Sequence, residues 1–302
     1  MKRRFVYIIS PSYSGSTLLT FLLARHPDIA TIGELKATAM GDVDRYRCSC
    51  GENIRACPFW QALAEKLHER GTPFDLTNFG THYRDFSNPL IDRLLRLRVH
   101  GSTVERLRDT LLNAIPGAKH HIAAIHKKNR AIVEATCEIQ GRPIFLDGSK
   151  EPNRLRYLRA AGFDDVRVIH LIRDGRAVTN SALGHEYDSL EVAATDWRDT
   201  HAEAVRIRAA SKPGEFFTLK YEELCAQPRE KVTEICNFLG IDPAGLDWNA
   251  PTNAFHILGN SMRNRPLENI RLDERWKTSL NENHLRRFDR LAGAMNREFG
   301  YG

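Results

Sequence analysis

The stretch Ser10-Pro11-Ser12-Tyr13-Ser14-Gly15-Ser16-Thr17 constrains this chain more than any other, because it closes one apolar run and opens another. Phe5-Val6-Tyr7-Ile8-Ile9 is short and rich in β-branched and aromatic residues, the pattern of a buried parallel strand. Leu18, Leu19, Phe21, Leu22 and Leu23 instead keep a helical face apolar. The N–H groups that open a helix have no partner inside it, and with the helix dipole they form a cradle for phosphate. Gly15 lets a ligand approach the backbone, and Ser14, Ser16 and Thr17 add hydroxyl donors. A simple capped helix start explains an isolated loop of this kind as well, since Ser and Thr are common N-caps. A nucleoside-triphosphate loop of the Gly-x-x-x-x-Gly-Lys-Ser/Thr type places a lysine on the terminal phosphates. This loop has no lysine.

The remaining strands follow a helix-strand alternation. Ile29-Ala30-Thr31-Ile32 reads as a second strand with Gly33-Glu34 at its end. Pro143-Ile144-Phe145-Leu146 reads as a third, leading into Asp147-Gly148-Ser149-Lys150. Val166–Ile172 delivers Arg173-Asp174-Gly175-Arg176, with Asp174 as the cap of a helix that carries Ser181. Glu215–Lys220 reads as a fifth strand, followed by Tyr221-Glu222-Glu223-Leu224 and an amphipathic helix from Pro228 to Leu239. In open α/β sheets ligands bind beyond the carboxyl ends of the strands, where Glu34, Lys150 and Arg173 all fall. Alone, each has a plainer reading: a solvated turn glutamate, a strand-end lysine, an arginine-aspartate pair capping a helix. Gly259-Asn260 permits a tight turn that would bring Ser261 and Arg263 against a ligand, or serves as an ordinary polar loop, and a last helix spans about 282–299. The expected fold is three-layer α/β and P-loop-like, with a central parallel sheet of about five strands.

Residues 37–141 break the alternation and read as a largely helical insertion, a cap within one domain spanning 1–302. Cys48-Ser49-Cys50-Gly51 and Cys57-Pro58-Phe59-Trp60 bring three sulfurs together. They can bind zinc with His68 as a fourth ligand, form a disulfide or stay free. A basic run follows, from Arg93, Arg96, Arg98, Arg106 and Arg108 to Lys119, His120, His121, His126, Lys127, Lys128 and Arg130. It is either a solvated helix face or a basic lining over an acceptor pocket. The formal charge of +6 favours an anionic ligand without approaching that of a dedicated nucleic-acid binder. No segment reaches membrane-spanning length, and the apolar run after Met1-Lys2-Arg3-Arg4 stops at Ser10-Pro11, so a soluble cytoplasmic protein is expected.

Taken together these motifs resemble the sulfotransferases that use 3′-phosphoadenosine 5′-phosphosulfate (PAPS), over nearly the whole chain outside the insertion. Ser14-Gly15-Ser16-Thr17, with Ser12 and Tyr13 before it, is similar to that family's loop for the 5′-phosphosulfate. Arg173 with Ser181 is similar to its 3′-phosphate pair, Tyr221 falls in a segment similar to the family's late nucleotide-side segment, and Ser261 and Arg263 join the candidate nucleotide contacts through their turn. Ala24-Arg25-His26-Pro27 through Gly33-Glu34 is similar to the protein-tyrosine sulfotransferase branch, whose base is a glutamate where Glu34 stands. Lys150 falls where that branch has a lysine stabilising the transferring group. The resemblance implies in-line transfer to a hydroxyl acceptor, such as a carbohydrate, a lipid-linked sugar or a small metabolite. Adenosine 3′,5′-bisphosphate (PAP) is the nucleotide product, and no metal ligand is needed in the reaction. One departure stands out: the family carries Lys or Arg before the loop's Ser-Gly, and this chain carries Tyr13. The role then falls to Lys150 alone or to the Tyr13 hydroxyl. Two other readings remain, a Mg-ATP kinase with a related opening loop and a nucleotide-binding relative without catalysis.

Overall fold

The computed structural model describes residues 4–36, 43–97, 102–264 and 270–302. Five parallel strands, β1 (Phe5–Ile9), β2 (Ile29–Thr31), β3 (Ile144–Lys150), β4 (Val166–Ile172) and β5 (Phe216–Lys220), form one sheet in the order β2-β3-β1-β4-β5. β1 is central because all five of its residues are buried, which only a strand covered on both faces tolerates. Its side chains alternate. Phe5, Tyr7 and Ile9 enter one apolar cluster and Val6 and Ile8 the other, so the sheet separates two cores.

Helices α1 (Ser16–Ala24), α9 (Tyr221–Ala226) and α10 (Pro228–Leu239) supply the core on the Val6 face through Leu19, Leu22, Leu224, Ile235 and Leu239. The Tyr7 face is covered by α2 (Pro58–Glu69), α3 (Pro89–Arg96), α4 (Ser102–Ala114), α5 (Ala118–Gln140) and α6 (Pro152–Ala160). Trp60, Leu63, Phe79 and Ile132 share that cluster with Phe5 and Phe145, so the helices between β2 and β3 act as a layer of the sheet sandwich. Helices α7 (Gly175–Ala182) and α8 (Leu190–Ala209) pack with a C-terminal group, α11 (Trp276–Ser279), α12 (Glu282–Phe288) and α13 (Ala294–Glu298), around Trp197 and Phe288. The last helix, expected to be continuous, passes through a π turn at 289–293.

From β1 the chain crosses one way to β2, and β4 lies on the other side, so the sheet reverses direction at β1. The loop 10–15 leaves the carboxyl end of β1 at that point, between β3 and β4. This is the position at which open α/β sheets leave a crevice for ligands.

Two sequence expectations about the insertion change. Part of its basic run is neither solvated nor free to line a pocket. Arg108 is buried and donates to the Leu97 carbonyl (3.1 Å), whereas Arg130 stays exposed while donating to the Ala161 carbonyl (2.7 Å). Arg98 of the same run lies outside the described residues. His68 does not join the cysteines. It is exposed near the end of α2, eleven residues beyond Cys57, or about 16 Å along a helix axis. The imidazole that meets Cys48, Cys50 and Cys57 belongs to His256.

Candidate active site

The opening loop turns sharply. Tyr13 (φ 63°) and Gly15 (φ 90°) both adopt left-handed backbone, and Gly15 is the N-cap residue of α1. Only glycine fits there: a Cβ on Gly15 would lie 2.3 Å from the Tyr221 ring. The close approach of that ring brings α9 against the loop. Across the ring's plane stands the Arg173 guanidinium, 4.6 Å from the centroid, and Arg173 Nη1 donates to the Tyr13 carbonyl (2.7 Å). The loop after β1, the residue after β4 and the residue after β5 therefore form one cluster.

Arg173 is almost fully buried, with its side chain 6% exposed, and Nη2 reaches the Asp273 carbonyl (3.0 Å) and carboxylate (3.5 Å). Asp273 is missed by sequence reasoning, since nothing marks a residue 100 positions away as its partner. Hydrogen bonds from Arg275 outweigh burial and, with Arg173 nearby, hold the Asp273 carboxyl at about 2. Asp174 caps α7 by accepting from Arg176 N (2.9 Å), while Ser181 sits half-buried in the last turn of that helix. The Tyr13 ring stacks on His185 at 6.2 Å, and burial raises its phenol above the ordinary value.

Buried polar atoms normally have partners. Here the hydroxyls of Ser10 and Ser14 and Nε of Arg173 are buried and uncommitted to any protein group. With the N–H groups that open α1, they form a donor set without competing acceptors, suited to an anion. Ser12 and Thr17 are half-buried on the same loop and first turn, and Ser16 is buried.

The second half of the site lies at the ends of β2 and β3. The Lys150 ammonium and the Glu34 carboxylate form an ion pair, with the side chains 11% and 17% exposed. Lys150 is paired with Ile9 in the sheet register, and its carbonyl accepts from Ser10 N (3.3 Å), which ties it to the root of the opening loop. Lys150 (φ 73°) and Tyr13 are the two non-glycine residues with left-handed backbone among the described residues. Such strain concentrates where surrounding structure forces a side chain into a working position.

Neighbours that the motifs did not reveal hold the pair in place. Asp147, fully buried, accepts from Leu35 N (3.0 Å), Ser149 N (2.9 Å) and Arg154 Nε (3.4 Å), and Ser149 Oγ accepts from Lys36 N (2.9 Å). These bonds pin the turn that carries Glu34 onto the end of β3. Lys36 bonds Glu151 (2.8 Å). Burial would raise the Glu151 carboxyl, but hydrogen bonds and charge from His82 and Lys36 hold it well below the usual range.

On the outer side runs the segment 256–259. Leu258 N donates to the Ile32 carbonyl (2.8 Å), and a Cβ on Gly33 would lie 2.1 Å from the Leu258 carbonyl oxygen. A Cβ on Gly259 (φ 132°) would lie 2.9 Å from Glu34 Oε1, so this segment walls in the carboxylate. Ser261 opens the short turn Ser261–Asn264 that follows. Arg263 in that turn donates to the carbonyls of Arg47 (3.2 Å) and Gly259 (2.5 Å) and stacks over Tyr46 (4.2 Å). Its guanidinium is thus engaged with the backbone beside Glu34.

Residues 6–244 match the profile of the Sulfotransferase family. The chain belongs to that family. Solved structures agree on the fold. A sulfotransferase domain from the Synechococcus PCC 7002 olefin synthase superimposes with a TM-score of 0.55 at 20% identity, covering 100% of this chain and 97% of that one. One from the curacin biosynthetic pathway gives 0.52 at 17% identity, covering 100% and 99%. The sulfotransferase STF9 from Mycobacterium avium gives 0.53 at 14% identity, covering 100% and 78%. No curated protein matches the sequence. Among the described residues, no helix is long and apolar enough to cross a membrane.

Beneath Arg173 lies a pair of histidines with a measurable consequence. His170 Nε2 and His201 Nδ1 share a hydrogen bond at 2.8 Å, and the Trp197 indole, packed on His201, donates to the Arg173 carbonyl (3.2 Å). Burial lowers both imidazoles, His170 to about 4 and His201 well below its usual value. The folded protein keeps them neutral, whereas the unfolded chain takes up protons near pH 6.5, at about the ordinary histidine value. Stability from this pair is therefore complete above about pH 6.5 and declines toward about pH 4, by up to about 1.4 kcal/mol per pH unit for each histidine. Denaturant melts between about pH 7.5 and 5 should show this slope, and His201→Asn should flatten it. An unchanged slope in that variant would assign the acid sensitivity to other groups.

Proposed function

We propose that this sulfotransferase family member moves the sulfuryl group of PAPS to a hydroxyl of a small molecule or glycan, with Glu34 as base. The observation that carries the reading is the Glu34–Lys150 ion pair at the rim of the sheet, beside the root of an anion-binding loop. The uncommitted Ser14 hydroxyl and the N–H groups opening α1 suit the 5′ end of the nucleotide. Arg173 and Ser181 suit its 3′-phosphate, and Tyr221 underlies both through its packing on Gly15 and Arg173. Bound PAPS would supply an activated sulfuryl group with a phosphate as leaving group.

The chain's own residues divide the remaining work. Glu34 accepts the proton of the acceptor hydroxyl. Lys150, paired with Glu34 in this structure, turns its ammonium toward the anionic end of the donor and so frees the carboxylate to act. Lys150 and the loop N–H groups neutralise charge on the transferring and leaving oxygens, the kind of fixed electrostatic support that contributes most in such transfers. Tyr13, in the place of a basic residue, offers a phenol donor.

Transfer of labelled sulfate from PAPS to a panel of hydroxylated acceptors tests the reaction, and thermal shifts compare PAP with Mg-ATP. Stabilisation by PAP alone supports the reading. Stabilisation by Mg-ATP alone favours the kinase alternative, and PAP binding without transfer to any acceptor favours a relative lacking catalysis.

A further inference from the structure

The loop 48–57 carries a constellation that the transfer reaction does not use. Cys48, Cys50, Cys57 and His256 each offer one donor atom, and all four lie within 4.8 Å of one another. Cys57 Sγ is 3.2 Å from His256 Nδ1, Cys48 Sγ is 3.6 Å from the same nitrogen, and Cys50 Sγ is 3.6 Å from Cys57 Sγ. A tetrahedral zinc ion with Zn–S of about 2.3 Å and Zn–N of about 2.0 Å has ligand-ligand edges of about 3.5 to 3.8 Å. Three of the six edges lie at 3.2 to 3.6 Å, and none exceeds 4.8 Å.

The surroundings build these positions. Cys48 and Cys50 flank a tight turn in which Gly51 N donates to the Cys48 carbonyl (2.9 Å), and Gly51 has left-handed backbone (φ 96°). Cys57 is the N-cap of α2, with Pro58 behind it, where the helix dipole favours a thiolate. The imidazole of His256 stacks flat on Phe59 at 4.8 Å and 6°. Ser49 holds the chain on both sides of it, donating to the Phe255 carbonyl (2.6 Å) and accepting from Ile257 N (2.8 Å). Nδ1 is therefore fixed toward the sulfurs, and Cys48, Cys50 and Cys57 are not joined by disulfides.

We propose that Cys48, Cys50, Cys57 and His256 bind one zinc ion, which ties the loop before α2 to the segment that walls in Glu34. Three thiolates and an imidazole are the donor set of a closed, four-coordinate site, so the ion is structural and takes no part in the transfer. Its effect on the reaction is indirect. His256 stands three residues before Gly259, whose backbone abuts the Glu34 carboxylate, and a ligand joining positions 199 residues apart holds that wall in place.

The full-length protein, purified without chelator, should contain about one zinc ion per chain by elemental analysis. A strong chelator should remove it, expose three additional reactive thiols, lower the melting temperature and speed proteolysis within 48–57 and 256–259. Cobalt should replace zinc with the visible bands of tetrahedral thiolate coordination. His256→Ala should lose most of the zinc, and His256→Cys, which restores a fourth ligand, should retain it. Less than about a tenth of an ion per chain after incubation with zinc would overturn the proposal, as would a Cys50–Cys57 disulfide in the purified protein or full zinc content in His256→Ala. None of these readouts depends on PAPS, so failure of the transfer reading would leave the metal question answerable.

Discussion

Glu34→Ala is expected to lower turnover by about a hundredfold to ten-thousandfold, the range a positioned base contributes, while PAP affinity changes little. The separation follows from the site's two halves: Glu34 belongs to the ends of β2 and β3, and the cluster proposed to hold the nucleotide is built on Gly15, Tyr221 and Arg173. Truncation also leaves the Lys150 ammonium unpaired where its side chain is only 11% exposed. Glu34→Gln retains a hydrogen-bond acceptor for that ammonium but no longer the basic carboxylate. Both variants should therefore be slow, and only the alanine variant should also lose thermal stability. Turnover equal to the parent in Glu34→Gln would remove this residue from proton transfer. A fall in PAP affinity matching the fall in rate would recast it as part of the nucleotide site.

The strand pattern was legible because burial on both faces leaves few alternatives. Val166–Ile172 appears as an almost uninterrupted apolar run in the sequence and spans the same residues in the sheet. The third strand reaches further than its apolar residues. It continues through Asp147-Gly148-Ser149 to Lys150, because the Asp147 carboxylate binds backbone and side-chain donors that would otherwise be stranded in the core. A polar strand end of this kind looks like a loop when only hydrophobic periodicity is counted. Glu34, Lys150 and Arg173 could be placed on one edge because strand direction alone puts them there. Residues that act from a distance could not. His256 reaches Cys57 across 199 positions, and Asp273 reaches Arg173 across 100. His68 was attractive through proximity in sequence, but the helix that makes it near in number carries it away in space. Arg108 and Arg130 illustrate the same limit, since a basic residue on an amphipathic helix does not reveal which backbone carbonyl it will meet.

Arg173→Ala should weaken PAP binding by roughly ten- to a hundredfold, the equivalent of losing one charge-assisted contact of about 1.5–3 kcal/mol. The side chain also has structural work: it bonds Tyr13 O, engages Asp273 and stacks on Tyr221. A loss of affinity alone would not distinguish contact with a phosphate from slackening of the loop. Comparison of PAP with adenosine 5′-phosphate does, because the two differ only in the 3′-phosphate. If Arg173 holds that group, the preference for PAP collapses in the variant while affinity for adenosine 5′-phosphate falls little. If Arg173 only braces the loop, both ligands weaken together and the preference survives. Arg173→Lys sharpens the distinction. It keeps the charge but loses the planar fork that serves Tyr13 O and Asp273 at once, so it should recover part of the preference for PAP without recovering the thermal stability of the parent.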